Sequence, residues 1–175
     1  LSLILGMGLV LNSCGSEETP KLTTEITRPV AKELEVFWEL KGNGIGGKAE
    51  ALTAFTIKNN SEKVLKKSWA LYFHQPRTVV KNSVSENIKV THINGDYFKI
   101  EPSEKFKDLP KGESVTFEFL NNAWFLKEVD APTGIYIVFT DENGKESAPE
   151  VIENITLLPF TTTDSIAIDG NKFLK

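Results

Sequence analysis

The segment Lys67–Phe73, KSWALYF, decides the fold class of this chain. Its large apolar residues recur at every second position, which places Trp69, Leu71 and Phe73 on one face of a strand and Tyr72 on the opposite face. A strand with one strongly apolar face must bury that face against another layer. The segment therefore predicts a β-strand that contributes Trp69 to a hydrophobic core.

The same alternation recurs along the chain, for example at residues 33–40 and 114–120. Asn94-Gly95 predicts a tight hairpin turn, because this pair tolerates the positive φ angles of a two-residue turn. Residues 134–140 and 147–157 are predicted strands on either side of a turn. About eight short strands, with turn signals every 8–12 residues and no helical period, predict an all-β antiparallel sandwich, immunoglobulin-like or like a carbohydrate-binding module.

Four aromatic residues are assigned to the architecture. Trp38, Trp69 and Phe117 share faces with Leu, Val or Phe, which predicts core positions. Tyr136 opens a late strand after a turn, the position of a tyrosine corner, in which the hydroxyl bonds back to nearby backbone. We therefore expect Tyr136 to have a structural role.

The composition limits the possible functions. The chain has 175 residues with 40% hydrophobic content, enough for one domain with a substantial core. The net charge is −4, and no stripe of Lys and Arg accompanies the aromatic residues. Nucleic acid is therefore not an expected partner, because its phosphates are bound by clustered positive charge.

The N-terminus has the features of an export signal. Residues 1–11 are apolar and uncharged, which suits a signal core and is too short for a membrane span. Cys14 follows in a context that resembles a bacterial lipobox, so we expect it to be lipidated and to hold an exported lipoprotein in the outer membrane, at its periplasmic face or at the cell surface. The expected divisions are a signal peptide without its basic region at 1–13, a lipidated tether at 14–31, a β-sandwich at 32–159 and a linker at 160–175.

Residues with catalytic chemistry are sparse. His74 and His92, the two histidines, lack the spacing of a metal site, and His92 is expected to pair across the hairpin. Asp141-Glu142 reads as a solvated turn before Asn143-Gly144. A Ser/His/Asp triad is not excluded by the residue types, but no nucleophile-elbow sequence is present. We expect no cofactor, no metal and no catalytic residue in this chain.

The ordered set of segments resembles a known family. The Trp69 strand, the hairpin at 92–97, Phe106, and the segments 108–113 and 130–132 resemble the N-terminal domain of bacterial chitobiases, which are β-N-acetylhexosaminidases of glycoside hydrolase family 20. The resemblance covers roughly residues 34–158. It implies a non-catalytic accessory domain, followed in the same polypeptide by a catalytic barrel that removes terminal N-acetylhexosamine from chito-oligosaccharides or other glycans.

Glycan binding by the domain itself would require exposed aromatic rings, since sugars pack their C–H faces on them. The candidates are Trp124, Tyr72 and Tyr97. Trp124 lies between predicted strands and is also a candidate for contact with the next domain of the enzyme. The alternative function is a stand-alone glycan-binding or structural surface lipoprotein.

Overall fold

A computed structural model describes residues 27–158 and the backbone of two further short segments, 166–168 and 171–173. Within these residues the strands are β1 Leu34–Asn43, β2 Ala51–Asn59, β3 Trp69–His74, β4 Ile88–Asn94, β5 Tyr97–Pro102, β6 Ser114–Asn121, β7 Thr133–Phe139, β8 Glu150–Val151, β9 Ile155–Leu158, β10 Ile166–Ile168 and β11 Asn171–Phe173. Single-turn 3-10 helices occupy Ala31–Glu33, Ile45–Gly47 and Glu128–Asp130.

The strands form two main sheets. The first has the order β6-β2-β1-β9 and the second the order β4-β5-β3-β7-β8, while β10 and β11 form a separate hairpin. Neighbouring strands are antiparallel in every pair but one, in which β9 runs parallel to β1. The predicted all-β antiparallel sandwich is confirmed, with this single parallel pair as an addition.

The core lies between the two sheets and is rich in aromatic rings. Phe55 of the first sheet packs on Phe73 of the second with ring centroids 5.0 Å apart. The ring centroids of Trp69 in the second sheet and Phe117 in the first are 6.4 Å apart. Trp38, Trp69 and Phe117 are all buried, as the alternation predicts. Burial of these faces supplies the main force that holds the sheets together.

A buried polar network also joins the sheets. Gln75, just after β3, donates from Nε2 to Oδ1 of Asn121 on β6 at 2.8 Å. Asn121 in turn donates from Nδ2 to Oγ1 of Thr53 on β2, also at 2.8 Å. All three side chains are buried. Because buried amides are costly without partners, this network fixes one relative position of the two sheets.

The β4–β5 hairpin turns one residue later than the sequence predicts. Asn94 pairs with Tyr97, so the turn consists of Gly95 and Asp96. Gly95 takes the positive φ, 49°, whereas Asn94 does not. A register shift between His92 and Asn94 supplies the extra residue. Such a bulge lets glycine, which has no Cβ, occupy the position with the unusual backbone conformation.

The predicted strand at 147–157 is wrong, because the chain changes sheets inside it. Glu150 and Val151 pair with β7 in the second sheet, and Ile155 already pairs with β1 in the first. Between them, Ile152 is buried in the core. The carbonyl of Asn154 accepts a 2.9 Å bond from the N–H of Val36, which begins the parallel pairing. The segment predicted as one strand therefore forms two short strands, one in each sheet.

Candidate functional site

The outer face of the second sheet carries a cluster of three tyrosines, Tyr72 on β3, Tyr97 on β5 and Tyr136 on β7. Tyr72 and Tyr136 are directly paired across adjacent strands. Tyr97 lies opposite His74 on the other side of β3. Alternation explains the arrangement, because the neighbours of each tyrosine along its strand point into the core. We call these residues the tyrosine cluster.

The rings of the tyrosine cluster are close to parallel. Tyr72 and Tyr136 have centroids 4.9 Å apart and planes inclined by 6°. Tyr97 lies 5.8 Å from Tyr72 at 24°. The imidazole of His74 continues the series, 4.8 Å from Tyr97 at 22°. Offset stacking of this kind is the favoured geometry for aromatic pairs, and it forms a continuous, half-buried aromatic surface across three strands.

The hydroxyl groups of the cluster are held in place. Tyr97 and Tyr136 are hydrogen-bonded through their hydroxyls. Burial, together with this bond, raises the pKa of Tyr136 well above its usual value of 10.0. Burial also raises the pKa of Tyr72. The hydroxyls of Tyr72 and Tyr136 therefore stay protonated at physiological pH, where they can both donate and accept hydrogen bonds.

Two pairs of polar side chains lie beside the cluster. His74 Nδ1 lies 3.0 Å from Asp96 Oδ1, and this bond lowers the pKa of the Asp96 carboxyl. Lys99 Nζ lies 3.0 Å from Glu101 Oε2, and the bond to Glu101 raises the pKa of Lys99. An aromatic surface that carries hydroxyl groups suits a polyhydroxy ligand.

A glycine completes the edge of the cluster beside His74. Gly134 has a φ of +61°, a conformation that other residues rarely adopt, and a Cβ built on it would lie 3.3 Å from Cδ2 of His74. The absence of a side chain lets the imidazole lie over the backbone of β7. No side chain of residue 134 therefore protrudes from the sheet beside His74.

Trp124 lies apart from the tyrosines, in the connection between β6 and β7. Its ring rests near Gly44, where an added Cβ would be 3.7 Å from Cζ2. Its carbonyl accepts a 3.0 Å bond from Nε of Arg77. The side chain is 38% exposed. Two of the three sugar-binding candidates from the sequence, Tyr72 and Tyr97, are thus brought together, and Trp124 makes no ring contact with either of them among the described residues.

The predicted role of Tyr136 as a tyrosine corner is wrong. Its hydroxyl bonds to the hydroxyl of Tyr97 and not to nearby backbone. Its side chain is half-buried on the outer face, because Ile135 and Ile137 take the inward positions of β7. The parity of this strand was the signal available in the sequence, since a residue between two inward isoleucines must face outward.

The other residues that the sequence offered for catalysis or metal binding make local contacts within hairpins and turns. His92 pairs with Phe98 across the hairpin, as predicted, with ring centroids 4.8 Å apart. Asp141 accepts from the N–H groups of Asn143 and Lys145 within its own turn. No group of three or more potential metal ligands occurs within the described part of the chain. Cys14 lies outside the described residues.

The described segments include no helix that is both long enough and apolar enough to cross a membrane.

Comparison with known proteins identifies the family. Residues 45–172 match the family model CHB_HEX, whose description is "Putative carbohydrate binding domain". The chain belongs to this family. The match begins at the turn after β1 and includes every strand of the tyrosine cluster.

The curated relatives that this chain matches are much longer proteins. The chain is 34% identical over 82 residues to an N,N'-diacetylchitobiase of Vibrio harveyi, an alignment that covers 47% of this chain and 9% of the relative. It is 33% identical over 91 residues to a beta-hexosaminidase of Vibrio vulnificus, covering 51% of this chain and 10% of the relative. The chain therefore spans about a tenth of the length of these relatives.

A solved structure shares the fold of this chain. The match is to the GH20 exo beta-N-acetylglucosaminidase of Vibrio harveyi, with a TM-score of 0.57 and 23% identity, and it covers 73% of this chain and 18% of that chain. At this level of identity the likeness shows a common architecture.

Proposed function

We propose that this chain is the N-terminal accessory domain of a family-20 β-N-acetylhexosaminidase and that it binds glycan through the tyrosine cluster. The parent enzyme would hydrolyse terminal N-acetylhexosamine residues from chito-oligosaccharides or other glycans, using a catalytic barrel further along the polypeptide. The family match and the names of the two curated relatives support the assignment to such an enzyme.

The tyrosine cluster is the observation that carries the binding proposal. Its rings stack on one another, so the cluster offers a pyranose their edges together with hydroxyls that can exchange hydrogen bonds with sugar hydroxyls. A β-sheet supports the surface from below, so little conformational entropy is lost on binding. The site would hold glycan near the catalytic part and would not itself break a bond.

Calorimetric titration of chito-oligosaccharides into the 175-residue chain tests this proposal. Tyr72→Leu removes the central ring but keeps an apolar side chain, and Trp124→Ala serves as the control outside the cluster. We expect wild type and the Trp124 variant to bind alike and the Tyr72 variant to bind at least about tenfold more weakly, the equivalent of one or two lost aromatic contacts. Absence of binding at millimolar sugar, or loss only in the Trp124 variant, would reject the cluster as the site.

A second candidate is a surface lipoprotein that works without a catalytic domain. The lipobox-like context of Cys14 is compatible with this function and with the first one equally. We propose lipidation at Cys14 and anchoring in the outer membrane in both cases. Incorporation of labelled palmitate that is lost in Cys14→Ser tests the anchor, and the reading frame after Lys175 distinguishes an enzyme from a stand-alone protein.

A further inference from the structure

An exposed valine extends the tyrosine cluster to the edge of the second sheet. Val151 of β8 pairs directly with Tyr136 of β7, and directly paired residues of antiparallel strands point to the same face. β8 is the edge strand of this sheet. Val151 is 68% exposed, although a large apolar side chain gains free energy by burial. The outer face of the sheet therefore carries a continuous series of rings and one apolar side chain across β5, β3, β7 and β8.

Both chain neighbours of Val151 are held in place. The carboxylate of Glu150 lies 2.6 Å from a guanidinium nitrogen of Arg28 and accepts from the N–H of Ala31 at 2.9 Å. On the other side, Ile152 is buried, and its N–H donates to a carbonyl of β7 at 3.2 Å. The exposed valine is therefore presented in a fixed position. A preorganised surface of this kind loses little entropy when a ligand binds.

The opposite end of the series is polar. His74 stacks on Tyr97 and is bonded to Asp96, and the side chains of His74 and Asp96 are 43% and 64% exposed. Both side chains have groups that exchange hydrogen bonds with sugar hydroxyls. Four neighbouring strands separate this end from Val151, and with about 4.8 Å between strands the series extends for roughly 14 Å. The series is therefore longer than one sugar ring.

The series lies on the face of a sheet. The two best-formed cavities among the described residues are elsewhere, one between residues 78–84 and β4 and the other beside Glu35 and residues 153–156. Selective binding of the last sugar of a chain requires contacts that surround that sugar, which a cavity provides. An open face instead lets a chain continue past it in both directions.

From these observations we infer that Val151 is a further contact residue of the glycan site, and that the site holds an internal stretch of several sugars and not the end of a chain. The inference rests on the proposed function, in which the tyrosine cluster binds glycan. A site that held the terminal sugar would compete with the catalytic barrel for the residue that is to be cleaved. Binding of an internal stretch leaves that end of the chain free.

Calorimetric titration of the 175-residue chain with chito-oligosaccharides of two and of six sugars tests the inference. We expect the six-sugar chain to bind at least about tenfold more tightly, because only this chain reaches from the polar end to Val151. Two modified six-sugar chains test the recognition of ends, one reduced at its reducing end and one methylated on the 4-hydroxyl of its non-reducing end. Both should bind within about twofold of the unmodified chain.

Val151→Ser removes the apolar contact, and Val64→Ser is the matched control. Val64 is 38% exposed, and its neighbour Leu65 pairs with Leu109, outside the second sheet. We expect Val151→Ser to bind the six-sugar chain at least about threefold more weakly than wild type, and Val64→Ser to bind it equally well. Both substitutions replace an exposed valine, so neither should impair folding. Val151→Thr keeps the β-branched shape and repeats the test if serine loosens β8.

Equal affinity for the two chain lengths, loss of binding after modification of either end, or unchanged affinity in both Val151 variants would overturn the inference. Equal weakening in the Val64 control would also overturn it. The proposed function has its own test in Tyr72→Leu. If this substitution weakens binding and the Val151 substitutions do not, the tyrosine cluster remains the site and the inference fails. If the wild type binds neither chain, the proposed function fails and the inference fails with it.

Discussion

Replacement of Trp69 measures how much the central strand contributes to the stability of the sandwich. The side chain is 3% exposed and packs edge-on against Phe106, with centroids 5.5 Å apart, and near-parallel to Phe117. Burial of a tryptophan removes about 150–250 Å² from water. At about 25 cal/mol per Å², this amounts to roughly 4–6 kcal/mol. Measured Trp-to-Ala costs of about 3–5 kcal/mol lead us to expect a similar loss for Trp69→Ala.

The indole N–H of Trp69 makes a second substitution informative. This buried donor has no hydrogen-bond partner among the described residues. An unpaired buried donor costs about 1–3 kcal/mol. Trp69→Phe keeps much of the ring contact and removes that donor, so we expect a net loss of only about 1 kcal/mol.

Urea unfolding of the wild type and of the two variants gives the comparison, provided that the m-value is unchanged. The reasoning fails if Trp69→Ala costs less than about 1 kcal/mol, because the ring would then not be a core residue. It also fails if Trp69→Phe and Trp69→Ala are equally destabilising, because the hydrogen-bond argument would then be incorrect.

Two further predictions concern polar groups. Asn121→Ala should reduce the free energy of unfolding by about 2–3 kcal/mol, because it leaves Gln75 and Thr53 without their shared partner; an effect below 0.5 kcal/mol in urea unfolding would contradict this. The N–H of Val30 and the hydroxyl of Ser61 lower the pKa of Glu33 below its usual 4.5, so its contribution to stability is present above that pH and is lost as the pH falls through the lowered value. Thermal unfolding between pH 6 and pH 3 should therefore show a smaller decrease for Glu33→Gln than for wild type, and parallel curves would refute the assignment.

The sequence predicts which residues share a face more reliably than where a strand belongs. Alternation places Trp38, Trp69 and Phe117 in the core, because one residue in two must face inward along a strand. The change of sheet between Val151 and Ile155 carries no such signal, since apolar residues suit either layer. Long-range pairing decides it, and pairing partners are not encoded in a local pattern.

The candidate site shows the same limit. Tyr72 and Tyr97 are suggested by residue type, but 24 residues of chain lie between them, and 38 more lie between Tyr97 and Tyr136. Only the strand order β5-β3-β7 brings the three rings together. The placement of Asn94-Gly95 fails for a local reason, because a bulge moves the turn by one residue.

The parallel pairing of β9 with β1 also determines where the chain enters and leaves the first sheet. Arg28 lies over the ring of Phe139, 3.8 Å from its centroid, beside the end at which β1 begins, whereas β9 points toward the end at which β1 finishes. A strand of ten residues extends for roughly 33 Å at about 3.3 Å per residue. β9 ends beside Glu39, about five residues along β1 from Leu34, so the described chain enters and leaves this sheet at points about 17 Å apart along one strand.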